Sequence, residues 1–163
     1  MEQKLNDWVK QINLDLSQSR IKAIYGLNEQ MIMFFRRLGK SLHDSPLKKI
    51  HGEEIYKVLS NELVKIKKGI IFSPENLQYM EKFYLVYGDV IDESIVILSR
   101  IAWGHHVVIL DYCKTSAKAY RYVARTISEN LSIAQLKELL ESKTYENSKK
   151  SKPKTKRQNT KKN

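Results

Sequence analysis

Trp103, Gly104, His105 and His106 stand side by side and lead directly into Val107-Val108-Ile109-Leu110. Those residue types suggest a metal site, a catalytic dyad, or a helix start that locks a small domain together. Spacing separates these readings. Adjacent histidines on a helix point about 100° apart, whereas two ligands on one helix need a separation of three or four residues. Asp111 lies six positions beyond His105, roughly 120° away and on a second turn, so it completes no metal face. Cys113 lies seven residues after His106, two turns on, too far for a thiolate–imidazole pair. The structural reading is favoured: Trp103 packs in the core, Gly104 permits a tight approach, one histidine caps or hydrogen-bonds, and the apolar run is buried. No metal ligand and no catalytic residue is assigned.

Other chemistry is equally sparse. There is no Gly-rich phosphate loop and no Gly-x-Ser-x-Gly elbow. The carboxylates Glu53-Glu54, Asp89, Asp92-Glu93 and Glu138 are scattered, and no nuclease pattern joins them. His43 and His51 flank a loop. The single cysteine excludes an internal disulfide framework and a multi-cysteine zinc site. The charged start Met1-Glu2-Gln3-Lys4 leads into no apolar segment, and no apolar run is long enough to span a bilayer. A soluble cytoplasmic protein without cofactor, not an enzyme and not attached to a membrane, is the expectation.

Charge is the stronger clue. The net charge is +11, and residues 143–163 contribute nine Lys/Arg against one Glu, a net of +8. The remaining 142 residues therefore carry only +3. The terminal run holds Lys149, Lys150, Lys152, Lys154, Lys156 and Arg157 with almost no apolar residue, so it reads as a disordered basic tail. Such tails bind phosphate-rich polymers through counterion release, which makes duplex DNA the favoured partner.

The elements that must position these groups are helical. Gly and Pro number 6 and 3, and alternating strand patterns are rare. An opening helix is expected over Lys4–Leu16, with Leu5, Trp8, Val9, Ile12 and Leu16 on one face, and a second over Ser19–His43, ended by Asp44-Ser45-Pro46. A third covers Gly52–Lys67. Ser73-Pro74-Glu75 is a strong helix start, with Ser73 as cap, Pro74 in the first turn and Glu75 favouring the dipole, and that helix runs to about Tyr87. Gly88–Glu93 reads as a loop. Short helices follow over Ser94–Ile101, His105–Cys113 and Ser116–Glu129, and the last starts at Ser132 and closes near Ser142.

The segment from Glu54 to Tyr87 fits a helix-turn-helix and, by spacing alone, equally an antiparallel helix pair. In the first case Asn76, Gln78, Tyr79 and Lys82 would meet base edges or phosphates, with Lys65, Lys67 and Lys68 against the backbone.

Three blocks resemble the N-terminal domain of the YhcG-like PD-(D/E)XK nuclease family. Phe72 through Tyr84 is similar to its Phe-Ser-x-x-Asn-Leu-x-x-Met-x-x-Phe-Tyr signature. Ile101-Ala102-Trp103-Gly104-His105-His106 is similar to its Ile-Pro-Trp-Gly-His block, with Ala102 in place of Pro. Tyr120 through Leu139 is similar to its aromatic-rich helix, short turn and Ser-started helix, although Glu129-Asn130-Leu131-Ser132 lacks the usual Gly-Trp. The likeness spans about Ile21 to Ser142. It implies an all-helical, winged-helix-like DNA-binding module of the kind usually followed by a nuclease domain. The basic tail stands where that domain would be, so nuclease activity is not carried over. The expectation is a helical domain over 1–142, a basic tail over 143–163, and non-catalytic binding of duplex DNA. The alternative is a protein-interaction module that docks a partner nuclease or forms a homo-oligomer.

Overall fold

The computed structural model describes the backbone of residues 2–66, 72–88 and 92–150, and side chains over 23–63, 72–88 and 94–142 together with Leu14 and Gln18. It is all-helical, with no strand among the described residues. Helix α1 spans Glu2–Asp44, α2 Pro46–His51, α3 Ile55–Ile66, α4 Pro74–Tyr87, α5 Asp92–Leu98, α6 Trp103–Tyr112, α7 Ser116–Ser128 and α8 Ile133–Lys150. A single 3₁₀ turn, Gly52–Glu54, joins α2 to α3.

Several boundaries differ from the sequence expectation. The two opening helices are one, because Ser17-Gln18-Ser19 contains neither Gly nor Pro and costs a continuing helix little. The turn after Asp44 begins another short helix: the Ser45 hydroxyl accepts from the Leu47 N–H and Pro46 fills the first turn. Helix α5 starts at Asp92, inside the expected loop. Helix α6 starts at Trp103, two residues early. Helix α8 continues past Ser142 to Lys150, so Lys149 and Lys150 stand on a helix and not in the tail.

Helix α4 is the centre of the domain. Its Leu77, Met80, Glu81, Phe83 and Tyr87 are buried, which occupies most of its circumference. Helix α1 crosses it at Gly39, where any Cβ would overlap the Met80 carbonyl, so only glycine allows the two backbones to approach this closely. Ile32, Phe35 and Leu42 of α1 pack into the same core. On its other sides α4 meets α3, α6 and α7 through Tyr56, His106 and Tyr120. The last two helices close the domain. Helix α7 buries Ala119, Tyr122, Val123 and Thr126, an i, i+3, i+4, i+7 stripe. Leu136 and Leu140 of α8 are also buried, and α8 lies against α6.

The turn between α7 and α8 is tightly specified. Asn130 takes a left-handed φ of 48°, a conformation asparagine tolerates well. Ser132 and Gln135 then form a reciprocal capping box: Ser132 N–H donates to Gln135 Oε1 at 2.9 Å, and Gln135 N–H donates to Ser132 Oγ at 3.3 Å.

Candidate nucleic-acid interface

The residues expected to read DNA from α4 are occupied within the fold. Ser73 Oγ caps the helix by accepting from the Asn76 N–H at 3.2 Å. Asn76 Oδ1 accepts from Trp103 Nε1 at 2.6 Å, tying α4 to the start of α6. The Tyr79 hydroxyl donates to the Asp111 carboxylate at 2.9 Å. Burial and that acceptor together raise the Tyr79 pKa. Lys82 Nζ lies 3.6 Å from Asp111 and 4.6 Å from the Tyr79 ring centre, so its charge is partly neutralised. Gln78 is half-buried beside Glu53, Glu81 and Leu85. Asn76, Tyr79 and Lys82 thus make a partly exposed seam with α6, in which the one cation faces the Asp111 carboxylate. Lys65 lies on α3 and Lys149 and Lys150 lie on α8, but their side chains fall outside the described residues, as do Lys67, Lys68, Lys152, Lys154, Lys156 and Arg157.

The Trp103–His106 block is structural in every contact. The Trp103 ring lies 4.5 Å from Phe35 and 5.5 Å from Phe83, centroid to centroid. Gly104 faces Ile133, whose Cδ1 would stand 2.7 Å from an added Cβ. His105 Nε2–H donates to the Leu131 carbonyl and His106 Nε2–H to the Leu98 carbonyl, each at 2.9 Å. One histidine thus holds the α7–α8 turn and the other holds the end of α5. His106 is fully buried, and burial lowers its pKa to about 4, so its ring is neutral at physiological pH.

One polar constellation escapes a reading of the sequence. Glu81, buried on α4, receives the Lys48 ammonium, the Tyr56 hydroxyl and, at 3.4 Å, His43 Nδ1. Burial disfavours the Glu81 carboxylate, but hydrogen bonds from Lys48 and Tyr56 outweigh that cost and hold its pKa below the usual value. Burial and the Glu81 hydrogen bond push the Tyr56 hydroxyl up to about 12. Both carboxylate oxygens have donors, so the cluster clamps α2 and α3 onto α1 and α4. Glu81 lies 25 to 38 residues from its three partners in sequence, which hides the cluster from any local pattern.

The exposed cations lie elsewhere. Residues 114–128 contain Lys114, Lys118, Arg121 and Arg125 and no acidic residue. Lys118, Arg121 and Arg125, spaced three and four apart, share one side of α7 away from its buried stripe, and Lys114 stands just before the Thr115 cap. Lys114, Lys118 and Arg121 are exposed, while Arg125 pairs with Glu129. The three-and-four spacing of Lys118, Arg121 and Arg125 is the sequence signal for this surface. Lys118 Nζ donates to the Tyr112 carbonyl at 3.0 Å, and the Tyr112 hydroxyl donates to Glu141 of α8 at 3.1 Å. The start of α7 and the middle of α8 therefore meet the same residue, Tyr112. From Glu141 the helix runs to Lys150, about 13 Å farther at the helical rise, and the sequence beyond it carries six more Lys/Arg and no acid.

A family model for the DUF1016 N-terminal domain matches residues 11–147. The chain belongs to that family. The match includes α4, the Trp-Gly-His-His block and the α7–α8 turn, so the DUF1016 N-terminal domain is the helical body described above. No curated protein and no solved structure is matched. Among the described residues no helix is long and apolar enough to cross a membrane, and no group of three or more His, Cys, Asp or Glu is placed to hold a metal.

Proposed function

We propose that this DUF1016 domain binds duplex DNA without catalysis, through the cationic face of α7 acting together with the basic C-terminal segment. The supporting observation is the juxtaposition just described. Lys114, Lys118 and Arg121 are exposed close to Tyr112, which bonds Glu141 in the middle of α8, the helix that precedes the Lys-rich run in sequence. A two-part cation surface of this kind releases counterions from a polyphosphate and gives affinity that falls steeply with salt. The helix, four-residue turn and Ser-capped helix of α7–α8 also suit a helix-turn-helix mode of docking. Resemblance to the targeting half of the YhcG-like nuclease family agrees with the same reading. Phosphate contacts of this kind position a protein on DNA but carry little sequence information.

The test is a salt titration of duplex binding by fluorescence anisotropy. Full-length protein should bind at low salt with a steep log–log slope. Deleting Lys149–Asn163 should lower affinity and flatten the slope, because eight Lys/Arg are removed. Lys114→Glu/Arg121→Glu should weaken binding while leaving the melting temperature unchanged. No shift at low salt, or unchanged slopes in both variants, would refute the assignment.

A further inference from the structure

We propose that α7 and α8 form a flap that opens from the domain as one piece, turning on the link from Cys113 to Thr115 while the helices around α4 stay folded. The flap is self-contained. Its turn is fixed internally by the left-handed Asn130, by the Ser132–Gln135 capping box and by a bond of 3.1 Å from the Leu131 N–H to the Thr126 carbonyl. Its link to α6 is short, and Cys113 and Thr115 both have extended backbone there. Any residue adopts that conformation, so the link can turn without strain.

The flap differs from the rest of the domain in how it is fastened. Other junctions carry buried or partly buried polar bonds. Glu81 holds Lys48 and Tyr56, Asn76 holds Trp103, and the Asn28 carboxamide donates to the Ser99 and Ile101 carbonyls, tying α1 to the α5–α6 loop. Beneath the flap the pattern reverses. Among the described residues, four buried side-chain atoms have no hydrogen-bond partner: the hydroxyl oxygens of Tyr87 and Tyr120 and Nδ1 of His105 and His106. All four lie at the flap's seat or next to it. Tyr120 of α7 meets Tyr87 of α4 edge to face at 5.3 Å, and Tyr87 meets His106 of α6 in the same way at 5.9 Å. His105 sits under the α7–α8 turn, where it holds Leu131. A buried polar atom without a partner destabilises the state that buries it. Lifting the flap returns the Tyr87, Tyr120 and His105 atoms to water, which favours opening at this junction. The bonds that Tyr112 makes across the seam, to Lys118 and Glu141, lie at the surface, where water competes for them.

Burial of Ala119, Val123, Leu136 and Leu140 keeps the closed state dominant, so the open one is a minor state visited repeatedly. Opening needs no ligand. Because Lys118 and Arg121 ride on α7, it also moves those cations relative to the domain.

Cys113 is a built-in reporter. It is the only cysteine, it is fully buried at the hinge, and its thiol interacts electrostatically with the Tyr87 and Tyr122 hydroxyls on the two sides of the seam. In the full chain it should react with a small aromatic disulfide about tenfold or more faster than global unfolding in urea permits. Hydrogen exchange read by mass spectrometry should show residues 116–142 opening together, ahead of residues 32–42 and 77–87. Tyr87→Phe and Tyr120→Phe each delete an unpartnered hydroxyl and should slow Cys113 labelling about fivefold, whereas loss of a useful contact would speed it. Leu136→Ala should speed labelling about thirtyfold or more while exchange in 77–87 stays unchanged. Labelling of Cys113 only at the rate of global unfolding, joint exchange of α4 and α7, or labelling while 116–142 stays protected would each overturn the proposal. So would faster labelling in both phenylalanine variants.

Discussion

Helices α4 and α7 are similar in length, each capped at its start by a hydroxyl, Ser73 in one and Thr115 in the other. In sequence both mix aromatic and polar residues, and α4 is the one that looks like a reading head. In space they are opposites. Helix α4 is enclosed on several sides, so Asn76, Tyr79, Lys82 and Glu81 serve neighbours inside the domain. Helix α7 buries one narrow stripe and turns Lys118 and Arg121 outward. A polar side chain on a central helix acts as an internal fastener, whereas the same type on a peripheral helix remains available to a partner.

That contrast predicts two separable sets of variants. Changes around α4 should lower stability and leave the salt slope of DNA binding alone, while changes on α7 should do the reverse. The largest effect should come from Gly39→Ala, because the obstructing group is the Met80 backbone and cannot rotate away. A loss of about 3 kcal/mol or more in urea unfolding is expected, and a neutral result would mean that the helices separate freely. Gly104→Ala, which meets only the tip of Ile133, should cost much less.

Glu81→Gln should rank next. It leaves Lys48 without its counter-charge, and breaking a buried pair costs on the order of 3–5 kcal/mol. The Lys48 side chain is about a quarter exposed, so the lower end is expected. Wild-type stability should also depend on acid. The Glu81 carboxyl is held below its usual range, so its contribution is complete above the unfolded-state value and is lost as pH falls through the lowered one.

His106 should act over a higher window. Its folded-state pKa of about 4 lies below the ordinary 6.5. Its contribution is therefore full above pH 6.5 and declines below it, as the unfolded chain takes up a proton that the buried ring refuses. About 2 kcal/mol should be gone near pH 5. Ring NMR that placed His106 at an ordinary titration midpoint would contradict this. The smallest effect is expected from Asn76→Ala, about 1 kcal/mol for one hydrogen bond to Trp103, with DNA affinity unchanged. If Asn76→Ala reduced binding more than Lys114→Glu/Arg121→Glu, the comparison between the two regions would fail.

What the sequence made legible follows from the range of the forces involved. Local signals read correctly: the all-helical class, the Ser73 and Ser132 caps, the packing of Trp103 against the core and the close approach at Gly104. These depend on residues a few positions apart. Features set over long separations did not read. Nothing near Glu81 announces Lys48 or Tyr56, and nothing near Asn76 announces Trp103. The break expected near Ser17 and the helix end expected near Ser142 failed for another reason. Polar residues with reasonable helix propensity end a helix only when Gly, Pro or a cap intervenes.

The crossing at Gly39 also gives α1 a mechanical character. Some 26 residues of uninterrupted helix, Glu2 to Leu27, run beyond the part of α1 that Asn28, Ile32, Phe35 and Gly39 hold against the domain, about 39 Å of rod. Clamped along that inner part, α1 is a lever with a fixed arm inside the domain and a longer arm outside. A tilt of about 5° would carry the outer tip roughly 3 Å by simple geometry on that length. Whatever grips the outer end thereby gains mechanical advantage over α4, the helix on which the rest of the domain is built.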